Sequence, residues 1–257
     1  DSKAPMGEMV ERGIALGLGQ MCFTEHMDFD FPVSEEIPKG FFEVNTDAYL
    51  YELLRCRAVY GDRIKLCFGV ELGLQAYLAE VQERYVNSFP FDFIIGSSHL
   101  CNGKDPYDAG FFAGRSEEAA YREYFESIID NLEVFHDFDI YGHLDYVVRY
   151  GPDQDKFYTY EKYRDLFERM LELLLENGIG VEVNTGGIGY GLKELHPCRE
   201  VLKRYRELGG EIVTVGSDAH RPADICREFK RAEEFLRDCG FSYYTVFDKR
   251  TASFIKL

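Results

Sequence analysis

Basic residues are scarce in this chain: Lys and Arg together number 29 against 46 Asp and Glu, for a formal net charge of −17. Such a balance excludes a nonspecific grip on a nucleic-acid backbone through a basic surface. An anionic ligand would therefore need local positive charge, from metal ions or from placed arginines. No apolar run approaches the roughly 18 residues of a membrane helix, and no charged-then-apolar leader opens the sequence. The seven cysteines (Cys22, Cys56, Cys67, Cys101, Cys198, Cys226, Cys239) are odd in number, scattered, and form no C-x-x-C pair. This is cysteine used as a small apolar residue in a reducing compartment, so a soluble cytoplasmic protein is expected. Internal repeats, low-complexity segments and linker-like Pro/Gly/Ser stretches are also absent. Residues 1–257 then read as a single domain, with 46% hydrophobic residues to fill its core.

What is present is an alternation. Short β-branched or aromatic runs at 19–24, 64–72, 91–97, 139–144, 178–184 and 211–216 read as strands of a parallel sheet buried on both faces. Between them, helical patterns cover 5–16, 47–60, 74–87, 116–135, 156–176, 198–208 and 223–239. Caps and stops fall where helices need them, with Ser116 three residues before Ala119 and exits at Asn177-Gly178 and Gly209-Gly210. A last run, Tyr243 to Phe247, reads as a terminal strand, with 248–257 packing as a tail. The fold class expected is α/β, a barrel of βα units. It closes only if a further strand precedes Asp1, because the chain opens on a helical stretch. The longest loop-like segment, 27–46, should form part of the rim of an active site.

The strand ends carry the chemistry. His26, Glu71, His99, His143, Asp218 and His220 each follow an apolar run, and in a βα barrel the carboxyl ends of all strands converge on one face. Neutral imidazole suits Zn, Mn or Fe, and a carboxylate such as Glu71 or Asp218 can bridge two cations. Singly, each residue has an ordinary reading as a helix cap or a loop hydrogen-bonder; agreement across five strand ends points to a shared site. His136 at a helix exit and His196 before Pro197 are expected to make local hydrogen bonds and are left out of the metal set. Arg149 is placed to reach over the same face and bind phosphate in bidentate fashion, with a surface salt bridge as the alternative. The glycine-rich stretch 184–191 exposes backbone N–H groups to an anion or is simply a tight loop; it is not a G-x-x-x-x-G-K-[ST] loop.

These pieces resemble the polymerase and histidinol phosphatase (PHP) family, and within it the histidinol-phosphate phosphatase branch. The matching segments are 23–26 (FTEH), 69–73 (GVELG), 95–99 (IGSSH), 142–145 (GHLD), 181–185 (VEVNT) and 216–220 (GSDAH), in family order over almost the whole chain. The resemblance implies a distorted (β/α)7 TIM-like barrel around a trinuclear cluster, hence two to three divalent transition metal ions (Zn, Mn or Fe). It also implies a His-x-His at the end of a first strand, which this sequence lacks. Asp1-Ser2 resembles the end of the turn after that motif, which makes Asp1 a metal ligand or the proton donor to the leaving oxygen. After the fifth strand the branch carries Asn-Thr-Ser-Gly-Leu-Arg-x-Gly, whereas here the arginine position is Gly189. Lys193 is the nearby cation able to take over phosphate binding.

The function expected is hydrolysis of a small phosphomonoester, histidinol phosphate or a similar metabolite, by in-line attack of a metal-bridging hydroxide. Asp218 and His220 would be catalytic as well as metal-ligating, and Arg149 would hold the phosphate. A nucleotide or oligonucleotide phosphoesterase of the same family, and a catalytically silent metal-binding module, are the alternatives. A small phosphorylated metabolite is the expected partner rather than nucleic acid or membrane, and no sequence feature selects an oligomeric state.

Overall fold

The computed structural model describes residues 2–257. Six parallel strands form one sheet in chain order: β1 (Gln20–Met27), β2 (Lys65–Gly73), β3 (Phe93–Ser97), β4 (Ile140–Tyr141), β5 (Gly180–Asn184) and β6 (Val213–Gly216). Helices α1 (Met6–Ala15), α2 (Thr46–Tyr60), α3 (Ala79–Val86), α4 (Glu117–Val134), α5 (Arg164–Glu176), α6 (Arg199–Glu207) and α7 (Phe229–Asp238) alternate with them. β2, β3 and β5 are buried almost throughout, as parallel strands covered on both faces must be. The sheet curls: its two edge strands, β1 and β6, line a common cleft of about 290 Å3.

Local signals act where expected. The Ser116 side chain accepts a hydrogen bond from the Ala119 N–H (3.2 Å), and Asn45 caps α2 in the same way through Ala48 (3.1 Å). Each satisfies an orphan donor of a first turn. Gly178 and Gly209 leave their helices at φ +68° and +100°, the left-handed region that glycine enters at no steric cost.

Four expectations are corrected. The fourth strand is only two residues long, because the chain turns away after Tyr141 toward His143. The helix expected over 156–176 starts at Arg164, preceded by 3₁₀ turns at Gln154–Lys156 and Tyr160–Tyr163. The helix expected from Ala223 starts at Phe229, after a 3₁₀ turn at Pro222–Asp224 and the segment 225–228. The terminal run does not join the large sheet: β7 (Tyr243–Asp248) pairs antiparallel with β8 (Thr251–Lys256), so the expected tail is a hairpin partner.

That hairpin crosses the amino ends of the sheet. Phe247 packs with Phe93, Ile95 and Ile140 in a small core of its own, and its carbonyl accepts from Gln20 Nε2 at the start of β1 (2.9 Å). The base of the curl is thereby filled with side chains, and the carboxyl ends are left to form the site.

Candidate active site

Parallel register sets the first contacts. His26 on β1 is paired with Glu71 on β2, and Glu71 with Ile95 on β3. Three imidazoles converge on the Glu71 carboxylate: His99 Nε2 lies 3.2 Å and His143 Nε2 3.0 Å from Oε1, while His26 Nδ1 lies 3.9 Å from Oε2. The ligand atoms of His26, Glu71 and His99 fall within 4.8 Å of one another. Asp28, two residues beyond His26, accepts from His26 Nδ1 (3.1 Å) and from His99 Nδ1 (2.6 Å), orienting both rings. It fits only because residue 73 is glycine: a Cβ there would sit 2.0 Å from Asp28 Oδ1.

The electrostatics are those of a cation site. Burial opposes ionisation of Glu71, but the charges of His99 and His26 and hydrogen bonds from His143 and His99 outweigh it and hold its carboxyl well below the usual range. Asp28 is likewise buried yet held at about 2, by His99 and His26. His99, despite burial, is pushed well above the ordinary imidazole value by Asp28 and Glu71. Burial lowers His143 against the pull of Glu71. Glu182, a buried carboxyl on β5, is raised to about 7 by burial and by the charges of Glu71 and Asp218.

On the opposite wall, Asp218 adopts φ +51°, a conformation that Asp tolerates better than most residues. Arg149 Nη1 donates to its Oδ2 (3.1 Å), and burial and the opposing charge of Glu71 do not prevent Arg149 from lowering its pKa. Arg149 is itself 5% exposed and not a surface ion pair. Its Nε donates to His196 Nε2 (3.0 Å), its Nη2 to Asn184 Oδ1 (3.0 Å), and the guanidinium lies over the rings of Tyr146 and Tyr190. Because Arg149 can only donate, His196 accepts at Nε2 and donates from Nδ1 to Asp145 (2.5 Å). Asp145 also accepts from Tyr158 (3.0 Å) and the Cys198 N–H (2.9 Å). His220 Nδ1 donates to the Asp218 carbonyl (3.0 Å), and its ring centroid is 6.2 Å from that of His26.

All six residues of the expected metal set, together with Arg149, line one pocket of about 500 Å3. The 27–46 segment contributes Phe31, Ile37 and Phe42 to its rim. Lys193 is not brought there: its ammonium is 3.8 Å from Asp155, its side chain is 73% exposed, and it lines a different cavity. Asp1 lies outside the described residues. His136 makes the expected local bond, to the Leu132 carbonyl, but His196 does not: it is 1% exposed and ties Asp145 to Arg149 across the fold. Asp28 and Glu182 were missed. Asp28 stands two residues after His26, hence on the same face of an extended strand end, and Glu182 is a lone charge inside the apolar run of β5.

The donor set suits divalent transition metals. Imidazole nitrogens and carboxylate oxygens are their ligands, and His143 Nδ1 is buried with no hydrogen-bond partner among the described residues. His26, Glu71 and His99, whose ligand atoms cluster, could hold an ion, with His143, Asp218 and His220 lining the same pocket. Among the described residues no helix is long and apolar enough to cross a membrane.

A PHP domain match spans residues 1–186. The chain is 31% identical to the histidinol-phosphatase of Lactococcus lactis subsp. lactis (strain IL1403), over 96% of this chain and 90% of that protein. It is 30% identical to a probable histidinol-phosphatase of Clostridium acetobutylicum, over 97% and 93%. A crystal structure of histidinol phosphate phosphatase from L. lactis, complexed with Zn, L-histidinol and phosphate, superposes with a TM-score of 0.85 at 29% identity, covering 98% of this chain and 94% of that one. These findings bear out the resemblance read from the strand-end motifs and the expectation of a metal-dependent phosphatase of histidinol-phosphatase type. The chain belongs to the PHP domain family.

Proposed function

We propose that this protein hydrolyses histidinol phosphate, with two to three divalent ions (Zn, Mn or Fe) held by His26, Glu71, His99, His143, Asp218 and His220. The observation that carries the reading is the convergence of three imidazoles on Glu71, in the pocket where Arg149 meets Asp218. Ions held there supply Lewis acidity toward phosphoryl oxygen and a nucleophile at neutral pH. The chain's own residues bind and orient. Arg149 keeps two of its five N–H donors beyond those given to His196, Asp218 and Asn184, and a guanidinium edge matches phosphate geometry. The rigid support from His196 and Asp145 means that little ordering remains to be done when phosphate arrives. Tyr107, Tyr146, Tyr150 and Tyr190 wall the same pocket for the organic part of the substrate, and Asp105 offers a carboxylate to its ammonium.

The cleft between β1 and β6 supports the finer reading of the fold, since room between the two edge strands is what a (β/α)7 barrel would require. The test of function is phosphate release after loading with Zn, Mn or Fe, from histidinol phosphate, nucleoside monophosphates and a phosphodiester. Metal-dependent release with preference for histidinol phosphate is expected. No release with any of these ions would leave a silent metal-binding module.

A further inference from the structure

Two further guanidiniums, those of Arg221 and Arg227, line the pocket of Arg149 from an element remote in sequence. Arg227 lies in the segment between the 3₁₀ turn Pro222–Asp224 and α7, and it lines the same pocket as Arg149, Asp218 and Glu71. Its backbone is fastened at both ends. The carbonyl accepts from Thr185 Oγ1 (2.7 Å), just after β5, and the N–H donates to the Asp224 carbonyl (3.0 Å). Its neighbours Cys226 and Glu228 both sit at φ +58°, a left-handed conformation that non-glycine residues hold only when surrounding contacts impose it.

The side chain is directed over Gly189. A Cβ at residue 189 would lie 2.9 Å from Arg227 Nη1, so the guanidinium occupies the volume in which any side chain at 189 would begin. Gly189 is outside the left-handed region; its value at this point is the missing Cβ and not its backbone freedom. One edge of the guanidinium is paired, Nη2 with Asp224 Oδ1 (2.7 Å), and the same carboxylate also receives Arg221 Nε at Oδ2 (2.6 Å). One negative charge thus anchors two positive ones, a locally net positive group on a chain whose overall charge is −17. With a side-chain exposure of 40%, Arg227 is open to a ligand, unlike the buried Arg149.

We propose that Arg227 is a substrate-binding residue that closes on the phosphate of a phosphomonoester from the rim while Arg149 holds it from below, and that Gly189 is small in order to admit it. The position at which resemblance to the histidinol-phosphate branch leads one to expect an arginine is thereby filled by a guanidinium from another loop. A guanidinium fork matches phosphate in bidentate fashion, which a lysine such as Lys193 would not do.

The inference rests on the phosphatase reading only for the choice of substrate, so inorganic phosphate is the first probe. Calorimetric titration of phosphate into the zinc-loaded full chain should show Arg227→Met binding about 10- to 100-fold more weakly than the parent, the usual loss of a charge-assisted hydrogen bond. Zinc content and Tm should be unchanged. KM for histidinol phosphate should rise in parallel, with kcat falling less. Gly189→Leu, whose side chain fills the volume the guanidinium takes, should reproduce the loss, and the double variant should bind no more weakly than Arg227→Met alone. Unchanged phosphate affinity in Arg227→Met would overturn the proposal, and additive losses in the double variant would overturn the role given to Gly189. If the parent binds phosphate but hydrolyses no phosphomonoester, the phosphatase reading fails and the Arg227 assignment is still decided by the titration; a parent that does neither refutes both.

Discussion

The two ends of the curled sheet both bury acidic side chains and neutralise them by different means. At the amino ends, Asp92 accepts from the Phe68 N–H (2.8 Å), the Lys249 N–H (3.2 Å) and Arg57 Nη2 (2.7 Å), while Asp139 accepts from the Ile94 N–H (2.8 Å) and Arg250 Nε (3.0 Å). Those partners are backbone amides and guanidiniums, which keep their charge at any physiological pH. At the carboxyl ends Asp218 also has a guanidinium partner, Arg149, but Glu71 and Asp28 are met by His26, His99 and His143. Imidazole is the one partner of this kind that can give up its proton and present a lone pair. One end is a closed structural seal; the other is a set of acids whose neutralising groups can be exchanged for a cation.

The contrast can be broken most sharply at Glu71. Glu71→Gln removes the carboxylate on which three imidazoles converge, and activity should fall by more than the roughly 100-fold that loss of an outer partner costs. Bound metal, measured by mass spectrometry of the purified protein, should fall with it; full metal content would show that the cluster is held elsewhere. Asp28→Asn should lower zinc affinity by about 10–100-fold, since it only orients His26 and His99, which competition with a chelator would measure. At the other end, Arg250→Ala leaves Asp139 short of its charged partner, and Arg250 is itself part-exposed. A cost of about 1–3 kcal/mol in urea unfolding is expected, with metal content and kcat/KM unaltered; lost activity would mean that the base is not merely a seal.

The smallest effect is a proton count. Asp28 and Glu71 raise the His99 pKa well above its usual value, so at neutral pH the ring carries a proton that a metal ion must displace. Zinc binding should therefore release protons and weaken as pH falls. Calorimetry in buffers of different ionisation enthalpy would detect this, and identical apparent heats in all buffers would refute it.

Periodicity and strand-end chemistry made much of the site legible in advance. His26, Glu71, His99, His143, Asp218 and His220 all line one pocket, because in a parallel sheet every strand delivers its carboxyl end to the same side. The terminal hairpin was not legible, for a local reason. Lys249 and Arg250 make its two-residue turn at φ +49° and +59°, a conformation normally announced by Asn-Gly or Asp-Gly. Contacts of these turn residues with Asp92, Asp137 and Asp139 support that unusual choice. Lys193 was a plausible cation by its spacing from β5, but the chain after Gly191 carries it toward Asp155.

By itself the sequence determined the α/β alternation, the helix caps, the family and which strand-end side chains meet in one pocket. Each follows from interactions within a few residues, or from a rule that holds for every parallel sheet. Tertiary structure alone decided that Asp28 seats against Gly73, that Asp145 and His196 hold Arg149, and that Arg227 lies over Gly189. Those pairings span 38 to 51 residues and depend on loops that meet only in the folded chain, which neither hydrophobic periodicity nor turn chemistry encodes.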